Sequence, residues 1–463
     1  MKQYDVIVIG SGGGSKITRP AANLGHKVAI IEKGFLGGTC LNHGCIPSKM
    51  LIHPADMLSV LRDMRRFEFE PIPIPKVDYA SLVRRVTETV ERDSNSIGPV
   101  YEKHENIDYF SGEAKFIGPK QVRVNNEVLT ADKIFLPVGA RAHVPDLEGL
   151  EGTPYLTYKE VLRLEKLPSS ITVIGGGYIA TELGYFLGMM GANVTFVVRS
   201  QFLRHEDQGI SQVFHDVFSK KFNTVLGTPE KVSYTDDIFS LEVKTSTGCQ
   251  TLLSEQLLVA TGFTPNADRL NLDATHVDVD EKGYINVNDR LETSMPGIWA
   301  FGDVIGRYFF RHTVNYEGEY LFRTVFQGLD KGSLVYPPVP HAVFTNPQVA
   351  GVGVREQDMD SASIFIGENS YAKSAMGMAL LSEHGVCKLI FDKATLKLIG
   401  AHILGDEAAT MSHMLIAYIK MGATLNDMLD TIYIHPALPE IIRNAARNAL
   451  IVYHKSLKPV ISG

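Results

Sequence analysis

Residues 37–49 read Gly-Gly-Thr-Cys-Leu-Asn-His-Gly-Cys-Ile-Pro-Ser-Lys, which places Cys40 and Cys45 five positions apart. Pro47 predicts the beginning of a helix, because proline is tolerated in the first helical turn but not further inside. A regular helix would hold residues at this spacing roughly 8 Å apart, beyond the usual disulfide span. The three glycines of the stretch allow the chain to distort. We therefore interpret the pair as a strained, exposed and reactive disulfide.

Two other interpretations of this cysteine pair remain open from the spacing alone. Half of a zinc site would usually show two cysteines three positions apart and a second pair of ligands, and the sequence contains no such pair. Two inert core cysteines are also possible, since free cysteine is often buried. A thiol at a helix N-terminus favours the thiolate form, which is typical of a reactive site. No metal site is predicted.

The full string closely resembles the active-site motif of the pyridine nucleotide-disulfide oxidoreductases, the flavoprotein family of dihydrolipoamide dehydrogenase, glutathione reductase and mycothione reductase. The resemblance extends over nearly the whole chain. It implies an α/β fold of the glutathione-reductase type, with two Rossmann-like dinucleotide-binding domains and a C-terminal α+β dimerisation domain. The expected divisions are an FAD-binding domain (1–145), an NAD(P)-binding domain (146–265), a return to the FAD or central domain (266–335) and an interface domain (336–463).

The composition is that of an ordinary globular protein divided into several domains. The 463 residues carry a net charge of −7, which offers no basic face for nucleic acid. Only four cysteines in so long a chain indicate a reducing compartment. No signal peptide is recognised at the N-terminus, and the apolar stretch 171–198 is too rich in glycine for a membrane helix. We expect a cytoplasmic protein that does not bind a membrane.

The first dinucleotide-binding turn follows a predicted strand at residues 4–9. Glu32 lies 22 residues after Gly10, close to the ~20-residue offset of an acid that binds ribose hydroxyls. Ser15 stands in place of the usual third glycine and is small enough for close helix–strand packing. By resemblance, residues 298–303 match a second flavin motif, which ends in Asp303 and whose aspartate binds the ribityl hydroxyls in relatives. The FAD-binding residues are predicted to be Gly10, Gly12, Gly14, Ser15, Glu32, Lys33, Gly38, Thr39, Lys49, Gly139, Gly302 and Asp303.

A second glycine turn follows the predicted strand at 171–174. No acid ends the next strand, and Arg199 and Arg204 follow it. Arginine can hold a 2′-phosphate that a carboxylate would repel, so NADP is favoured over NAD. The alternative is that these arginines are solvated surface residues. The nucleotide-binding residues are predicted to be Gly175, Gly177, Tyr178, Ile179, Arg199, Arg204 and Gly262.

The resemblance implies one route for electrons, from NADPH through FAD and the Cys40–Cys45 disulfide to a substrate. In relatives the second cysteine lies against the flavin and the first attacks the substrate. His435 matches the family's acid/base residue, supplied by the other subunit of a homodimer, and Glu440 would orient it. Lys49 and Glu182 match an ion pair near the flavin and nicotinamide rings. Tyr178 matches the residue that covers the nicotinamide site.

Several substrates and one other functional class remain open. The segments around Arg199 and His435 look most like mycothione reductase, whereas the cysteine string looks as much like an NAD-dependent dihydrolipoamide dehydrogenase. Mercuric reductase and large thioredoxin reductase are disfavoured, because no cysteine follows Cys387. The alternative of another class is a flavin-binding redox sensor with little turnover. A small disulfide or lipoamide is the expected substrate.

Overall fold

The computed structural model describes residues 1–329 and 332–457. The last six residues of the predicted interface domain, and two residues of the predicted central segment, lie outside the described residues. The strands of the described chain are β1 (Lys2–Ile9), β2 (Val28–Glu32), β3 (Ile107–Ser111), β4 (Ala114–Gly118), β5 (Gln121–Val124), β6 (Glu127–Leu136), β7 (Ala140–Ala142), β8 (Ser170–Ile174), β9 (Asn193–Val198), β10 (Asn223–Thr235), β11 (Ile238–Thr245), β12 (Gly248–Ser254), β13 (Gln256–Val259), β14 (Phe263–Pro265), β15 (Ile298–Ala300), β16 (His341–Val343), β17 (Gln348–Gly353), β18 (Ile364–Ser370), β19 (Val386–Asp392) and β20 (Leu398–Gly405).

The helices alternate with these strands in the first two thirds of the chain and gather near its end. They are α1 (Ser11–Asn23), α2 (Gly38–Asn42), α3 (Cys45–Asp63), α4 (Tyr79–Asn95), α5 (Ile97–Glu102), α6 (Tyr158–Val161), α7 (Tyr178–Met190), α8 (Gln208–Lys221), α9 (Arg311–Val325), α10 (Ala375–Ala379), α11 (Ala408–Met421), α12 (Leu425–Asp430) and α13 (Glu440–Leu457). The helix predicted at Pro47 begins at Cys45, with the proline in its first turn.

The first sheet has seven strands in the order β3-β2-β1-β6-β5-β4, with β15 paired to β6. Strands β3, β2, β1, β6 and β15 run parallel, and β4 and β5 form an antiparallel edge. Strand β1 is apolar and almost fully buried over its last four residues, as expected for a strand covered on both faces. The late strand β15 shows that the chain returns to this sheet after building the second one.

The second sheet has six strands in the order β12-β11-β10-β9-β8-β13. Its parallel half, β13-β8-β9-β10, repeats the pattern of the first sheet, with α7 crossing between β8 and β9. Strands β1 and β8 each lie inside their sheet and lead directly into a glycine turn. Ligands of open α/β sheets bind at such carboxyl ends. The two predicted Rossmann-like units are therefore present.

The third sheet is antiparallel, in the order β16-β17-β20-β19-β18. Helices α11 and α13 bury apolar side chains against it, including Leu415, Ile441 and Ala445. This unit is the predicted α+β segment. The fold class is confirmed, and the exact domain divisions stay predictions.

Among the described residues, no helix is both long and apolar enough to cross a membrane. The stretch 171–198, which has the length of a membrane span, is divided between β8, α7 and β9. Strand and helix here are buried in the protein core instead, as shown by Val173, Phe186 and Phe196, each fully or almost fully buried.

Candidate active site

A cavity of about 2230 Å³ lies where the two glycine turns, the cysteine stretch and the beginning of the third sheet meet. Its volume exceeds the roughly 300–1,000 Å³ of a typical small-molecule pocket, so it can hold more than one extended ligand. The predicted site residues that line it are Gly10, Gly12, Glu32, Lys33, Gly38, Thr39, Cys40, Cys45, Lys49, Gly139, Gly175, Gly177, Tyr178, Ile179, Glu182, Arg199, Arg204, Gly262, Gly302 and Asp303. Four predicted residues lie outside the lining: Gly14, Ser15, His435 and Glu440.

Cys40 and Cys45 lie on either side of a helix interruption. Cys40 belongs to α2 and Cys45 begins α3, with the turn at His43 and Gly44 between them. This break is the distortion that a regular helix would not allow. Both residues are free cysteines in the structure, and their thiols are hydrogen-bonded to each other. The disulfide between them stays a prediction.

The two thiols differ in acidity. The pKa of Cys45 is lowered to about 7, first by the hydrogen bond from Cys40 and also by the Lys49 ammonium, although partial removal from water opposes this. The same hydrogen bond, together with burial, raises the pKa of the Cys40 thiol. Of the two thiols, Cys45 is therefore the one that favours the thiolate form. It is exposed towards the cavity.

Lys49 also joins the two dinucleotide-binding units. Its ammonium lies 2.5 Å from a Glu182 carboxylate oxygen, and Glu182 is on α7 of the second unit. The other oxygen of Glu182 accepts a hydrogen bond from the Phe344 backbone N–H at 2.9 Å. The Phe344 ring lies 4.5 Å from the Lys49 ammonium, within the range of a cation–π contact. The ion pair predicted from the sequence is formed, and it directs a positive charge at Cys45.

The backbone of the first glycine turn packs directly against the backbone of the cysteine stretch. A Cβ on Gly38, whose φ is +69°, would lie 2.5 Å from the Gly12 Cα. Glu32 accepts hydrogen bonds from the Ser11 backbone N–H at 2.9 Å and from the Ser11 hydroxyl at 2.8 Å. A carboxylate at a strand end, beside a glycine turn and the first turn of α1, is the arrangement that binds a dinucleotide.

Gly14 and Ser15 follow the first glycine turn on α1. A Cβ on Gly14 would lie 2.6 Å from Val8 Cγ1, so α1 approaches β1 closely at Gly14. The Ser15 hydroxyl donates to the Gly12 carbonyl at 3.0 Å. The packing role expected of Ser15 stays a prediction.

The second glycine turn leaves open space on its cavity side. A Cβ on Gly177 or Gly262 would meet no atom within 4 Å, and both residues line the cavity. Val198, at the end of β9, is buried at 3% exposure. The next side chains on this rim are Arg199 and Arg204, so this edge of the second unit is positive and lacks a strand-end carboxylate.

Asp303 lies near a buried carboxylate of the first dinucleotide-binding unit, that of Glu317. Burial and the neighbouring Glu317 charge raise the pKa of Asp303 to about 6. Glu317 is held by the Gly302 backbone N–H at 2.6 Å and by the Tyr336 hydroxyl at 2.6 Å. Asp303 keeps its oxygens available on the cavity wall, where they can bind hydroxyl groups of a ligand.

His435 and Glu440 form a pair away from the cavity. The His435 Nδ1 lies 3.0 and 3.1 Å from the two Glu440 oxygens, and Arg443 donates to the same carboxylate at 2.8 Å. Glu440 is 6% exposed at its side chain, whereas His435 is 70% exposed. The carboxylate thus orients the ring and fixes the proton on Nδ1, which leaves Nε2 to accept a proton. Within one chain, this ring faces outwards.

Sequence reasoning missed Arg311. This residue begins α9 and lines the cavity, and its guanidinium charge lowers the pKa of the Cys40 thiol against the larger raising effects. A guanidinium at a helix N-terminus favours an anionic ligand. The sequence feature that could have identified Arg311 is a polar helix start eight residues after Asp303, where the chain returns to the first sheet.

Comparisons with known proteins agree with this arrangement. Residues 4–319 match the family model described as pyridine nucleotide-disulphide oxidoreductase, and residues 339–446 match its dimerisation domain. A mycothione reductase of Mycobacterium tuberculosis is 34% identical, with 96% of this chain and 99% of the relative covered. A dihydrolipoyl dehydrogenase of Chlorobaculum tepidum is 33% identical, with 97% of each covered.

Two further comparisons widen the range of substrates. A mercuric reductase of Lysinibacillus sphaericus is 34% identical, with 96% of this chain and 82% of the relative covered. The Cu(II) complex of the HOCl-induced flavoprotein disulfide reductase RclA from Escherichia coli superposes with a TM-score of 0.85 at 26% identity, covering 96% of this chain and 99% of that one. Relatives with different named substrates are equally similar, so the choice of substrate depends on the site itself.

Proposed function

The chain belongs to the pyridine nucleotide-disulphide oxidoreductase family, and from this membership we propose that it is an NADPH-dependent reductase of a small disulfide of the mycothione type. Members of this family are enzymes that use FAD and a pyridine nucleotide. The observation that carries the proposal is the acidic Cys45 thiol hydrogen-bonded to Cys40 at the junction of two dinucleotide turns.

The residues present fit FAD at the first turn. Gly12 and Gly38 leave a backbone surface without side chains beside the cavity, and Glu32, Arg311 and Asp303 lie along the same wall. FAD, when bound, supplies a two-electron carrier between a nicotinamide and a disulfide. The protein's part is to hold Lys49 and Glu182 as an ion pair between the two cofactor sites and to keep Cys45 as a thiolate.

Reduction of the substrate takes two thiol–disulfide exchanges. The Cys40 sulfur, after losing its proton to the partner subunit's His435, attacks one substrate sulfur, forms a mixed disulfide and releases one thiolate. His435 of the partner subunit returns the proton to that leaving group. The Cys45 thiolate then attacks Cys40, breaks the mixed disulfide and releases the second substrate sulfur as a thiolate, which takes a proton from solvent. The Cys40–Cys45 disulfide is formed again, two electrons having passed to the substrate.

Two observations support NADPH. Arg199 and Arg204 lie on the cavity rim where a 2′-phosphate would bind, and buried Val198 replaces the strand-end acid. We propose the domain divisions at residues 145, 265 and 335. Residues 145 and 335 fall between the three large sheets, and residue 265 ends β14, which pairs with β7 in a two-stranded sheet.

The decisive experiment is a panel of electron acceptors assayed with NADPH and with NADH. We expect the highest kcat/KM with NADPH and a low-molecular-weight disulfide such as mycothiol disulfide, and weak activity with lipoamide or Hg²⁺. Better turnover of NADH with dihydrolipoamide chemistry would replace this proposal by dihydrolipoyl dehydrogenase. A protein that NADPH does not reduce anaerobically would support the alternative of a redox sensor.

The cofactor preference has its own test in the double variant Arg199→Ala/Arg204→Ala. Loss of two charge-assisted contacts should raise the KM for NADPH by roughly 10–100-fold and leave the KM for NADH almost unchanged. Arg123→Ala is the matched control, because Arg123 lies on the exposed side of β5. An equal rise for both nucleotides would mean that these arginines do not read the 2′-phosphate.

A further inference from the structure

Two histidines of the third sheet converge over a glycine. In the strand register His341 of β16 pairs with Gly351 of β17, and Gly351 pairs with His402 of β20. Paired residues of neighbouring strands point to the same face of a sheet, so both imidazoles project over the same position. A Cβ on Gly351 would lie 2.5 Å from His341 Nε2 and 2.8 Å from His402 Nδ1. The glycine therefore makes the room that the two rings occupy.

A carboxylate from the second sheet unit completes the group. Glu206 precedes α8, has a side chain only 1% exposed, and lies with one oxygen 2.6 Å from His341 Nε2. Its other oxygen accepts a hydrogen bond from the Tyr178 hydroxyl. One donor atom each from Glu206, His341 and His402 lies within 4.8 Å of the others. These three residues come from segments far apart in the chain.

The tautomer of His402 leaves a buried lone pair facing this group. Its Nε2 lies 2.9 Å from the Val354 carbonyl, which can only accept, so Nε2 carries the proton. In the neutral ring Nδ1 is then an acceptor. That nitrogen has no hydrogen-bond partner, although the residue is 1% exposed. A buried polar atom without a partner costs roughly 1–3 kcal/mol, so this one needs an explanation.

We propose that Glu206, His341 and His402 form a binding site for one divalent cation of the zinc class. Two imidazole nitrogens and one carboxylate oxygen are ligands that suit Zn²⁺, and such three-residue sites leave one coordination position open. Ligand atoms about 2.0–2.2 Å from zinc lie roughly 3.4 Å apart. The Glu206–His341 distance of 2.6 Å would therefore have to open, whereas the three donor atoms already lie within 4.8 Å of one another. His341 and its neighbour Tyr178 both line the cavity.

The surroundings of the three residues match what a metal site requires. The Val354 carbonyl orients His402, and the Tyr178 hydroxyl orients Glu206, as outer hydrogen bonds do for metal ligands. Binding would remove the proton that His341 Nε2 shares with Glu206, either to the other ring nitrogen or to solvent, since a metal-bound nitrogen must be unprotonated. A purely structural hydrogen-bond network explains the His341–Glu206 contact, but it leaves His402 Nδ1 without a partner.

The site would connect two parts of the protein. Glu206 follows the strand β9 of the nucleotide-binding unit, and both histidines belong to the sheet of the dimerisation domain. The metal would therefore lie beside Tyr178, whose hydroxyl is hydrogen-bonded to Glu206.

The test uses the untagged FAD-loaded protein with Cys40→Ser and Cys45→Ser, because free thiols would also bind zinc. Zn²⁺ binding is measured by competition with a chromophoric chelator, and Co²⁺ absorption in the visible range reports the coordination. We expect one Zn²⁺ per chain and a Co²⁺ spectrum typical of four or five ligands. His341→Ala and Gly351→Ala, made in the same background, should each weaken Zn²⁺ binding at least tenfold.

His413→Ala is the matched control, because His413 also lines the cavity but lies on α11, outside the group. It should bind Zn²⁺ as the parent protein does. Flavin content and the circular dichroism spectrum show whether each variant is folded. The proposal is overturned if the parent protein binds no Zn²⁺, if His341→Ala binds it as tightly as the parent does, or if the loss is the same for His413→Ala.

Discussion

Cys45 acquires its acidity from two neighbours that are close in sequence, and one of them is held in place by a distant residue. The hydrogen bond from Cys40 comes from the same stretch, whereas the position of the Lys49 ammonium depends on Glu182, 133 residues away. A thiolate is the reactive form of cysteine, so the ion pair tunes the pH range in which the pair can act. The side-chain chemistry of this site is thus shared between two units of the fold.

The pH dependence of Cys45 follows from this arrangement. In the reduced protein, the rate of Cys45 alkylation by iodoacetamide, distinguished from that of Cys40 by fragmentation of the alkylated peptide, should rise with pH through a midpoint near the pKa of about 7. Below the midpoint the thiol is protonated and unreactive. Adding Lys49→Met removes a positive charge that favours the thiolate, so the midpoint should move up by about one pH unit.

The control for this shift is Lys420→Met, since Lys420 lines the cavity but does not perturb the thiol. Its midpoint should stay that of the parent. An unchanged midpoint in Lys49→Met would mean that Lys49 does not act on Cys45. Mass spectrometry of the alkylated peptide, sampled over time at each pH, gives the rates.

His435 should act on the substrate and not on the flavin. We expect His435→Ala to leave the rate of anaerobic flavin bleaching by NADPH unchanged and to slow disulfide turnover by roughly 10²–10⁴-fold, the usual contribution of a general acid–base. Glu440→Gln should give a smaller loss, because the ring keeps a hydrogen-bonding partner. Stopped-flow absorbance separates the two half-reactions, and an equal loss in both would contradict the assigned role.

At the scale of elements, the first glycine turn and the cysteine helix depend on each other. Gly38 begins α2 with a positive φ, and its backbone packs directly against that of Gly12 at the start of α1. The two helix starts can approach only because neither residue has a side chain. This packing brings the cysteine stretch against the dinucleotide turn, which the spacing of either motif alone does not require.

Substitution of Gly38 tests two effects, the backbone strain of a side chain at positive φ and the steric clash with Gly12. Gly38→Ala should destabilise the protein by about 1 kcal/mol for its positive φ and by about 1–2 kcal/mol more for the clash with Gly12, and it should lose FAD. The control is Gly152→Ala, with φ +79° and no atom within 4 Å of the new Cβ, which should lose only the first contribution and keep FAD. Urea unfolding and flavin absorbance measure both.

At the scale of the molecule, one face near the chain end is apolar and uncovered. Met421, Ile432 and Ile434 are 82%, 96% and 80% exposed, and they flank exposed His435. Large apolar side chains of this kind mark protein interfaces. The chain carries the family's dimerisation domain over residues 339–446, which includes all of these positions. A homodimer would cover this face and bring His435 towards the cysteines of the other subunit.

Charges placed on that face should therefore separate the subunits and abolish the activity. Ile432→Glu/Ile434→Glu should convert a dimer to monomers in sedimentation experiments, with disulfide turnover lost and flavin reduction by NADPH retained. Leu253→Glu is the control, because Leu253 is 69% exposed on β12 of the second sheet. A double variant that stays dimeric and fully active would exclude this face as the interface.

Local patterns determined much of this protein. The strand–glycine–helix order around Gly10 and Gly175, and the helix start at the cysteine stretch, follow from backbone preferences within a few residues. The resemblance to the family added the expected partner of each motif. The close approach of Gly14 to Val8 was not predicted, because it depends on how a helix crosses a strand.

Contacts between distant segments were decided only by the tertiary structure. Glu206, His341 and His402 have no motif in common, and they meet because the sheet register places two imidazoles over Gly351 while a separate unit contributes a buried carboxylate. Arg311 reaches the cavity for a similar reason, at the start of a helix that follows the return to the first sheet. Backbone preferences act over a few residues, whereas strand pairing and domain packing determine which distant side chains meet.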